Sequence, residues 1–233
     1  MNEAASTEQA GQLQEIYRAR FGQTRAYRAE VWKVLISDYF ERYLRSSDHI
    51  LDLGCGYGEF INAVHCARKF GMDLNPDTRA ALDPSVTFLA QDCSERWELP
   101  DSSLDVVFTS NFFEHLPSKE ALSRTLAEAW RCLKQGGRLI AMGPNIRRVH
   151  AAYWDFWDHH IPLTHLALAE VLRLRGFSIE MARESFMPYT LVDAPQYPLF
   201  LLRLYLRLPL AWRFFGRQFL VVARKADSAA RPS

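Results

Sequence analysis

One stretch, Ile50–Phe60, constrains the fold of this chain more than any other. The apolar run Ile50–Leu53 is interrupted only by Asp52, and glycines follow at positions 54, 56 and 58. The run predicts a short strand that is buried on both faces, and the glycines predict a tight turn at its carboxyl end. Glycine accepts positive φ, and its missing Cβ lets a ligand approach the backbone. In an open, doubly wound α/β sheet, nucleotide-like ligands bind at that edge.

A second acid strengthens this interpretation. Asp73 ends the next predicted strand, roughly 20 residues after the turn, where a carboxylate can accept hydrogen bonds from a ribose diol. The dinucleotide fingerprint G-x-G-x-x-G requires its third glycine where this chain has Glu59. The observed spacing is G-x-G-x-G instead. A dinucleotide oxidoreductase therefore remains the rival on the same type of sheet.

The segment Asp52–Gly58 resembles the first motif of the class I S-adenosylmethionine (SAM)-dependent methyltransferases, in particular the small bacterial group called type 11. The resemblance implies a Rossmann-like seven-stranded sheet in the order 3-2-1-4-5-7-6, with the last strand antiparallel. It also implies N-terminal helices, a C-terminal helical insertion and SAM as the cofactor. The alternation of strand and helix patterns along residues 49–183 agrees with such a sheet.

The resemblance also assigns cofactor residues. Asp73 would hold the ribose, and Asp92 with the backbone of Cys93 would hold the adenine. The alternative for Asp92 is a carboxylate that only caps a turn. The complete set of cofactor residues expected from the resemblance is Asp52, Gly54, Cys55, Gly56, Gly58, Asp73, Leu74, Asp92, Cys93 and Asn111.

The loop after the fourth predicted strand, Ser110–Leu116, is similar to the family motif that passes beneath the methionine moiety. Phe112 and Phe113 stand where amine methyltransferases of DNA and protein have two prolines. This difference argues against methylation of a nucleobase. We expect Glu114 and His115 to hold the loop rather than to react.

Aromatic, acidic and histidine residues are mixed in the segment 153–165, which follows the fifth predicted strand and indicates an acceptor pocket. If the acceptor is a hydroxyl, a histidine oriented by a carboxylate can serve as base. Asp158 with His159 or His160 offers that pairing. The alternative is that these histidines pack or bond to the backbone. No His/Cys spacing indicates a metal site.

The segment 197–225 carries arginines and one lysine but no acid, and leucines fill many of its other positions before Pro209. Such a helix suits an anionic membrane surface or a phosphate-bearing substrate. The alternative is a helical flap whose arginines extend to water. The acceptor is therefore a small molecule by default, with a glycan or a lipid-linked intermediate as the open alternative.

Composition and charge bear on the partner and on the cellular location of the protein. A net charge of +1 gives no reason to expect duplex nucleic acid as a partner. The first residues lack the apolar run of a signal peptide, and Arg203 and Arg207 interrupt the best candidate for a membrane span. We expect a cytoplasmic protein, with peripheral contact at the inner membrane surface left open. The oligomeric state is not predicted.

The expected organisation is a helical cap at 1–44, a methyltransferase domain at 45–226 that includes a helical flap at 185–217, and a disordered tail at 227–233. The expected function is transfer of the methyl group of SAM to an acceptor hydroxyl. Besides the oxidoreductase, the alternative is a catalytically silent relative that binds SAM and acts through protein contacts.

Overall fold

The computed structural model describes residues 11, 15, 19, 20, 24–189 and 195–226. Seven strands form one sheet in the order β3-β2-β1-β4-β5-β7-β6. The first five strands run parallel, whereas β7 is antiparallel to both of its neighbours. This topology confirms the predicted fold class. The strands are β1 (His49–Leu53), β2 (Arg68–Met72), β3 (Val86–Leu89), β4 (Leu104–Ser110), β5 (Leu133–Pro144), β6 (Phe177–Arg183) and β7 (Gln218–Lys225).

Helices cover both faces of the sheet. The α-helices are α1 (Arg25–Asp38), α2 (Glu59–Ala63), α3 (Thr78–Ala81), α4 (Lys119–Cys132), α5 (Ile146–Val149), α6 (His165–Leu174), α7 (Leu199–Arg207) and α8 (Pro209–Phe215). Three short 3₁₀ helices lie at Phe40–Tyr43, Phe113–His115 and His150–Asp155.

The ends of the longer helices follow from local hydrogen bonding. Ser118 caps α4 by accepting a hydrogen bond from the Ala121 N–H, and Thr164 caps α6 through the Ala167 N–H. Gly176, at φ 91°, lets the chain leave α6 in a conformation that L-residues rarely adopt. Residues 164 and 176 thus mark the two ends of α6.

The sheet separates two hydrophobic clusters. On one face α4 and α6 contribute Leu122, Leu126, Leu168 and other buried residues. The other face is covered by α1, α2 and the C-terminal helices, with an aromatic group of Trp32, Phe40, Phe60, Phe108, Phe186 and Trp212. This second cluster fixes α1 and α8 against the sheet, because Tyr39 and Phe186 both contact the Trp212 ring.

The bounds of several elements bear on the predicted organisation. The fifth strand begins at Leu133, before the glycine pair at 136–137. The helices that follow β1 and β2 are short, Glu59–Ala63 and Thr78–Ala81. The predicted flap contains α7 and α8, joined at Pro209. The predicted tail 227–233 lies outside the described residues, as does part of the predicted N-terminal cap. Among the described helices, none has the length and apolar character needed to cross a membrane.

Candidate functional site

A cavity of about 350 Å³ opens at the carboxyl edge of the parallel strands. Its volume lies within the range of ligand sites, about 300–1,000 Å³. Residues from the turn after β1, the loop after β4, the segment around 156–159, α1 and α7 line it. Among the predicted cofactor residues, those that line the cavity are Asp52, Gly54, Cys55, Gly56 and Asn111.

The glycine turn has the backbone that its sequence predicts. Gly54, Gly56 and Gly58 have φ angles of 71°, 52° and 76°. The N–H groups of Gly54 and Cys55 both donate to the Met72 carbonyl, which ties the turn to the end of β2. The missing Cβ of Gly54 makes room for a side chain of the protein, because a Cβ there would lie 2.2 Å from the Phe112 ring. The Phe112 ring therefore occupies the space beside Gly54 in which the sequence predicted a ligand.

Asp73 is built into the same turn. One carboxylate oxygen accepts a hydrogen bond from the Gly56 N–H and the other accepts one from the Asn75 N–H, each at 2.8 Å. A carboxylate has about four acceptor positions, so two remain for another donor. Burial raises the pKa of Asp73, and these backbone hydrogen bonds oppose the rise. Asp73 therefore shapes the glycine turn in addition to offering acceptors beside it.

Two more acids, Asp52 and Glu59, lie beside Asp73. Burial raises the pKa of Asp52 well above its usual range, and the nearby charges of Glu59 and Asp73 add to the rise. Glu59, which stands at the third-glycine position of a dinucleotide fingerprint, forms a 2.8 Å ion pair with Arg28 of α1. Because Glu59 and Arg28 both line the cavity, helix α1 forms part of its wall.

The other predicted cofactor residues, Gly58, Asp73, Leu74, Asp92 and Cys93, lie along the same sheet edge but outside the lining of the cavity. The Asp92 Oδ1 accepts a hydrogen bond from the Ser94 N–H at 2.8 Å, as a turn-capping carboxylate does. Its other oxygen takes no part in that bond, so the adenine role and the capping role are compatible. The Cys93 thiol is buried beside Thr125, and burial raises its pKa to about 12.

Asn111 adopts φ 50° directly after β4. Its backbone N–H donates to the Met142 carbonyl of β5, and its side-chain amide donates to the Ser110 hydroxyl. Asparagine tolerates this left-handed conformation better than most residues. The bend turns the chain over the glycine turn, where the Phe112 ring fills the space beside Gly54.

The acceptor side of the cavity is organised around His115. Its Nδ1 lies 3.1 Å from the Asp158 carboxylate and 3.0 Å from the Asp158 carbonyl oxygen. Arg20 donates two hydrogen bonds to the same carboxylate, at 2.7 and 3.0 Å. Sequence analysis paired Asp158 with His159 or His160, whereas the structure pairs it with His115.

His159 is buried and lines the cavity, and its Nδ1 lies 2.8 Å from the Tyr153 carbonyl. Because a carbonyl only accepts, this nitrogen carries the proton, and Nε2 of the neutral ring is an acceptor. His160 is exposed and does not line the cavity, although its backbone N–H donates to the Glu114 carbonyl. The structure thus brings Asp158 and His159 together at the site and places the His160 ring outside it.

Burial and neighbouring charges, among them that of Asp158, determine the pKa values of Glu114, His115 and His159. Burial raises the pKa of Glu114 to about 7, and burial together with the charge of His115 lowers the pKa of His159 to about 4. Burial disfavours the charged form of His115, but Asp158 and Glu114 raise its pKa overall. Hydrogen bonds from His115 and Arg20 outweigh burial and hold the pKa of Asp158 well below its usual range.

Sequence analysis assigned Glu114 and His115 to loop structure, yet both line the cavity beside His159. The signal that could have found them is their position, since they directly follow the carboxyl end of a central strand. The sequence pattern also did not single out Arg20 or Arg28, because their partners Asp158 and Glu59 are far away in the sequence.

Comparison with known proteins identifies what this chain is similar to. The family described as "Methyltransferase domain" matches residues 51–141. A 27-O-demethylrifamycin SV methyltransferase from Amycolatopsis mediterranei is 32% identical over 66% of this chain and 59% of its own length. A demethylmenaquinone methyltransferase from Symbiobacterium thermophilum is 28% identical over 53% of this chain and 54% of its own length. The chain spans about half the length of the curated relatives it matches.

Solved structures share the fold. A SAM-dependent methyltransferase from Archaeoglobus fulgidus superposes with a TM-score of 0.64 at 23% identity, covering 88% of this chain and 99% of that one. A second match comes from the complex between the Haloferax volcanii Trm112 methyltransferase activator and a methyltransferase. One chain of that complex superposes with a TM-score of 0.67 at 21% identity, covering 90% of this chain and 96% of that one. The [4+2]-cyclase SpnF also superposes, with a TM-score of 0.56 at 18% identity, covering 85% of this chain and 80% of that one. The fold alone therefore does not specify the reaction.

Proposed function

This chain carries a class I SAM-dependent methyltransferase domain, and we propose that it transfers the methyl group of SAM to a hydroxyl of a small-molecule, glycan or lipid-linked acceptor. One observation supports this proposal above the others. The same cavity is lined by the glycine turn of the cofactor edge and by two histidines, His115 and His159, that can receive an acceptor.

For the cofactor, we assign the methionine moiety to the turn Gly54–Gly56 and the loop at Asn111, and the ribose to Asp73. The two acceptor positions left on the Asp73 carboxylate support the ribose assignment. Asp92 is assigned to the adenine through the carboxylate oxygen that its turn does not use. SAM supplies a methyl group on a sulfonium, which leaves as the neutral thioether when a nucleophile attacks.

For the acceptor, the chain has to place a hydroxyl in line with that methyl group and exclude water, which is mainly a matter of positioning. His159 presents a neutral imidazole whose Nε2 can accept the hydroxyl proton, because Tyr153 fixes the tautomer. Asp158 acts through His115 by holding the orientation of that ring. Aromatic side chains at 156 and 189 complete this wall of the cavity.

Two measurements test the proposal in sequence. Calorimetry should show saturable binding of SAM and of its demethylated product, and none of NADH; binding of NADH alone would overturn the cofactor assignment. Incubation of a cell extract with SAM labelled in the methyl group should then transfer label to a component that resists mild base, as a methyl ether does and a methyl ester does not. Transfer by wild type but not by His159→Gln, with equal SAM affinity, would support the role of His159.

The catalytically silent alternative makes the opposite prediction. A protein that binds SAM but transfers no label to any extract component, at cofactor saturation, would be such a relative. The polar cavity wall argues against it, because a purely structural SAM site needs no buried histidine beside the cofactor edge.

Helix α7 supports the lipid-linked form of the acceptor. Leu201, Leu202 and Tyr205 of this helix line the cavity. Its neighbouring residues Phe200 and Leu204 are 64% and 51% exposed. The helix therefore presents apolar side chains to the cavity and to solvent along one continuous element. In α8, further large apolar residues, Leu210, Phe214 and Phe215, are also exposed. An anionic membrane surface is the partner that such a face with interspersed arginines fits.

The arginines of this face are not equivalent. Arg203 is held by Asp38 of α1, so that most of its charge is already neutralised within the protein. Arg207 and Arg213 are exposed and lie beside the apolar residues. The pair of arginines expected to contact an anionic surface is therefore Arg207 and Arg213.

Vesicle sedimentation tests the membrane contact. Wild type should sediment with vesicles that contain anionic lipid at low salt, and much less with neutral vesicles. Arg207→Ala with Arg213→Ala should weaken this binding by roughly 30-fold, since each arginine near an anionic surface contributes about 1 kcal/mol. Arg203→Ala is the matched control and should change binding far less. Wild type that remains in the supernatant with anionic vesicles would refute the membrane contact and leave a water-borne acceptor.

A further inference from the structure

Three side chains at the acceptor wall meet at one point. Glu114, His115 and His159 each offer one carboxylate oxygen or ring nitrogen, and these atoms all lie within 4.8 Å of one another. All three residues line the cavity. Glu114 and His115 come from the 3₁₀ helix after β4, whereas His159 follows the 3₁₀ helix at His150–Asp155.

Both imidazoles are oriented by a partner at their Nδ1 atom. The Nδ1 of His115 is held by the Asp158 carboxylate, and the Nδ1 of His159 is held by the Tyr153 carbonyl. This arrangement leaves Nε2 of each ring for the cavity. A histidine whose second nitrogen is fixed by a carboxylate or a backbone carbonyl is the usual arrangement around a protein-bound metal ion.

Glu114 supplies a carboxylate in a place where an unpaired charge is costly. The residue is only 3% exposed, and its Oε1 lies 4.0 Å from the His115 Nε2, too far for a direct hydrogen bond. The backbone fixes its position, because the Glu114 carbonyl accepts hydrogen bonds from the N–H groups of His160 and Ile161. The two loops that carry the three side chains are therefore tied together.

We infer that Glu114, His115 and His159 bind one divalent first-row transition-metal ion, such as Zn²⁺, Mn²⁺ or Fe²⁺, with open coordination positions toward the acceptor. Two imidazoles and one carboxylate are a ligand set that these ions accept. With metal–ligand bonds of about 2.0–2.2 Å, ligand atoms on one ion lie about 3–4.3 Å apart. The observed separations reach this range through side-chain shifts of about an ångström or less.

Spacing along the chain does not reveal this set, and the sequence analysis expected no metal. The two histidines lie 44 positions apart, at 115 and 159, and Glu114 precedes the first of them. The fold brings them together because β4 and β5 are neighbouring parallel strands whose carboxyl ends meet at one edge.

The role of the ion rests on the proposed function. An acceptor hydroxyl bound to the ion would release its proton to water, since a divalent ion lowers the pKa of a bound oxygen. The resulting alkoxide forms the new bond to the methyl carbon while the bond from that carbon to the sulfonium sulfur breaks. The products are a methyl ether and the neutral thioether, and the ion keeps its charge. With the ion bound, Nε2 of His159 is a ligand and cannot also take the proton. This role replaces the direct proton acceptance proposed above for the metal-free site, and the chelator experiment below distinguishes the two.

The test measures metal directly. Full-length protein is treated with a chelator, dialysed, and titrated separately with Zn²⁺, Mn²⁺ and Co²⁺. Calorimetry gives affinity and stoichiometry, and Co²⁺ reports its ligands through visible absorption. Glu114→Gln and His159→Gln remove ligands with little change of shape. Asp158→Asn leaves all three ligands in place and weakens the support of His115. His160→Ala is the matched control, since its ring lies outside the cavity.

We expect one ion per chain in wild type and in His160→Ala, with a Co²⁺ spectrum of nitrogen and oxygen ligands. Glu114→Gln and His159→Gln should lose at least 100-fold in affinity. Asp158→Asn should lose about 10–100-fold, as is typical when the residue behind a ligand is changed. Equal SAM affinity across the series would show that each variant is folded.

Failure of wild type to bind any of the three ions, or equal binding by wild type and Glu114→Gln, would overturn the inference. Methyl transfer that persists in chelator-treated protein would overturn the role of the ion and leave the proposed function intact. A bound ion together with no label transfer to any extract component would support the site, and it is the proposed function that would fail.

Discussion

Replacement of Asp73 tests how the cofactor edge is built. Its two oxygens accept hydrogen bonds from the Gly56 and Asn75 N–H groups, each at 2.8 Å. A hydrogen bond to a charged group contributes about 1.5–3 kcal/mol, which gives about 3–6 kcal/mol for two. Because the pKa of Asp73 is raised, burial outweighs these bonds for the charged form, and the loss in Asp73→Ala comes instead from the two N–H groups left unpaired, at about 1–3 kcal/mol each. We therefore expect Asp73→Ala to lower the free energy of unfolding by about 2–4 kcal/mol.

The amide of Asp73→Asn keeps a neutral acceptor for one of the two donors. It should therefore lose about half as much stability, measured by urea unfolding. Both variants should also bind SAM more weakly, because the ribose loses a charged acceptor. A loss of about 1.5–3 kcal/mol corresponds to roughly 10- to 150-fold in the dissociation constant. Calorimetry well below the unfolding midpoint separates this loss from the loss of stability.

Asp83→Ala is the matched control for Asp73. Asp83 is an exposed acid that also accepts a backbone hydrogen bond two residues ahead, from the Ser85 N–H, but it is not among the residues proposed to bind SAM. SAM affinity should not change in this variant. If Asp73→Ala unfolds at the wild-type urea concentration and binds SAM within twofold of wild type, Asp73 neither fixes the turn nor touches the ribose.

Two further changes test the packing of the turn and the support of the loop before β4. Gly54→Ala should destabilise the protein by about 2–4 kcal/mol, because alanine is strained in the left-handed conformation of this position and its Cβ would clash with Phe112. Adding Phe112→Ala should remove the clash but not the backbone strain. If the losses of stability of the two single variants simply add in urea unfolding, this explanation is contradicted. Glu128→Gln should destabilise at neutral pH, because the Glu128 carboxylate accepts hydrogen bonds from Arg131 and the Trp97 N–H. These bonds outweigh burial and lower its pKa below the unfolded value, so the stabilisation is complete above about pH 5 and is lost as pH falls through the folded pKa. Thermal unfolding at pH 7 and pH 3 should show the gap between wild type and variant closing, and a constant gap would contradict the assignment.

The sequence predicted the backbone of the sheet edge at β1 and β2 well, because the signals there are local. The turn at 54–58 and the acid at 73 lie close in sequence, and each is explained by backbone geometry that neighbouring residues determine. The strand order came from resemblance, and the structure confirms it. The reason for glycine at position 54 is different from the expected one, because the space left by its missing Cβ holds the Phe112 ring and not a ligand.

The acceptor half could not be predicted in the same way. Which histidine Asp158 orients depends on how two loops meet, and no spacing rule separates His115 from its competitors at 159 and 160. Burial then decides which ring enters the cavity, because His159 is 7% exposed while its neighbour His160 faces solvent. Adjacent residues on a loop commonly point in different directions, so the motif indicated a region and not a residue.

The N-terminal segment links the two halves. Its Arg28 pairs with Glu59 at the cofactor edge, and its Arg20 pairs with Asp158 at the acceptor edge. The Arg20 guanidinium also lies 4.8 Å from the centre of the Phe156 ring. Removing one partner of a buried or partly buried ion pair leaves the other charge poorly compensated, so Asp158 would hold His115 differently without Arg20. The geometry around His115 therefore depends on Arg20, which is 138 positions from Asp158 in the sequence, and this long-range contact is part of what makes the cavity a site.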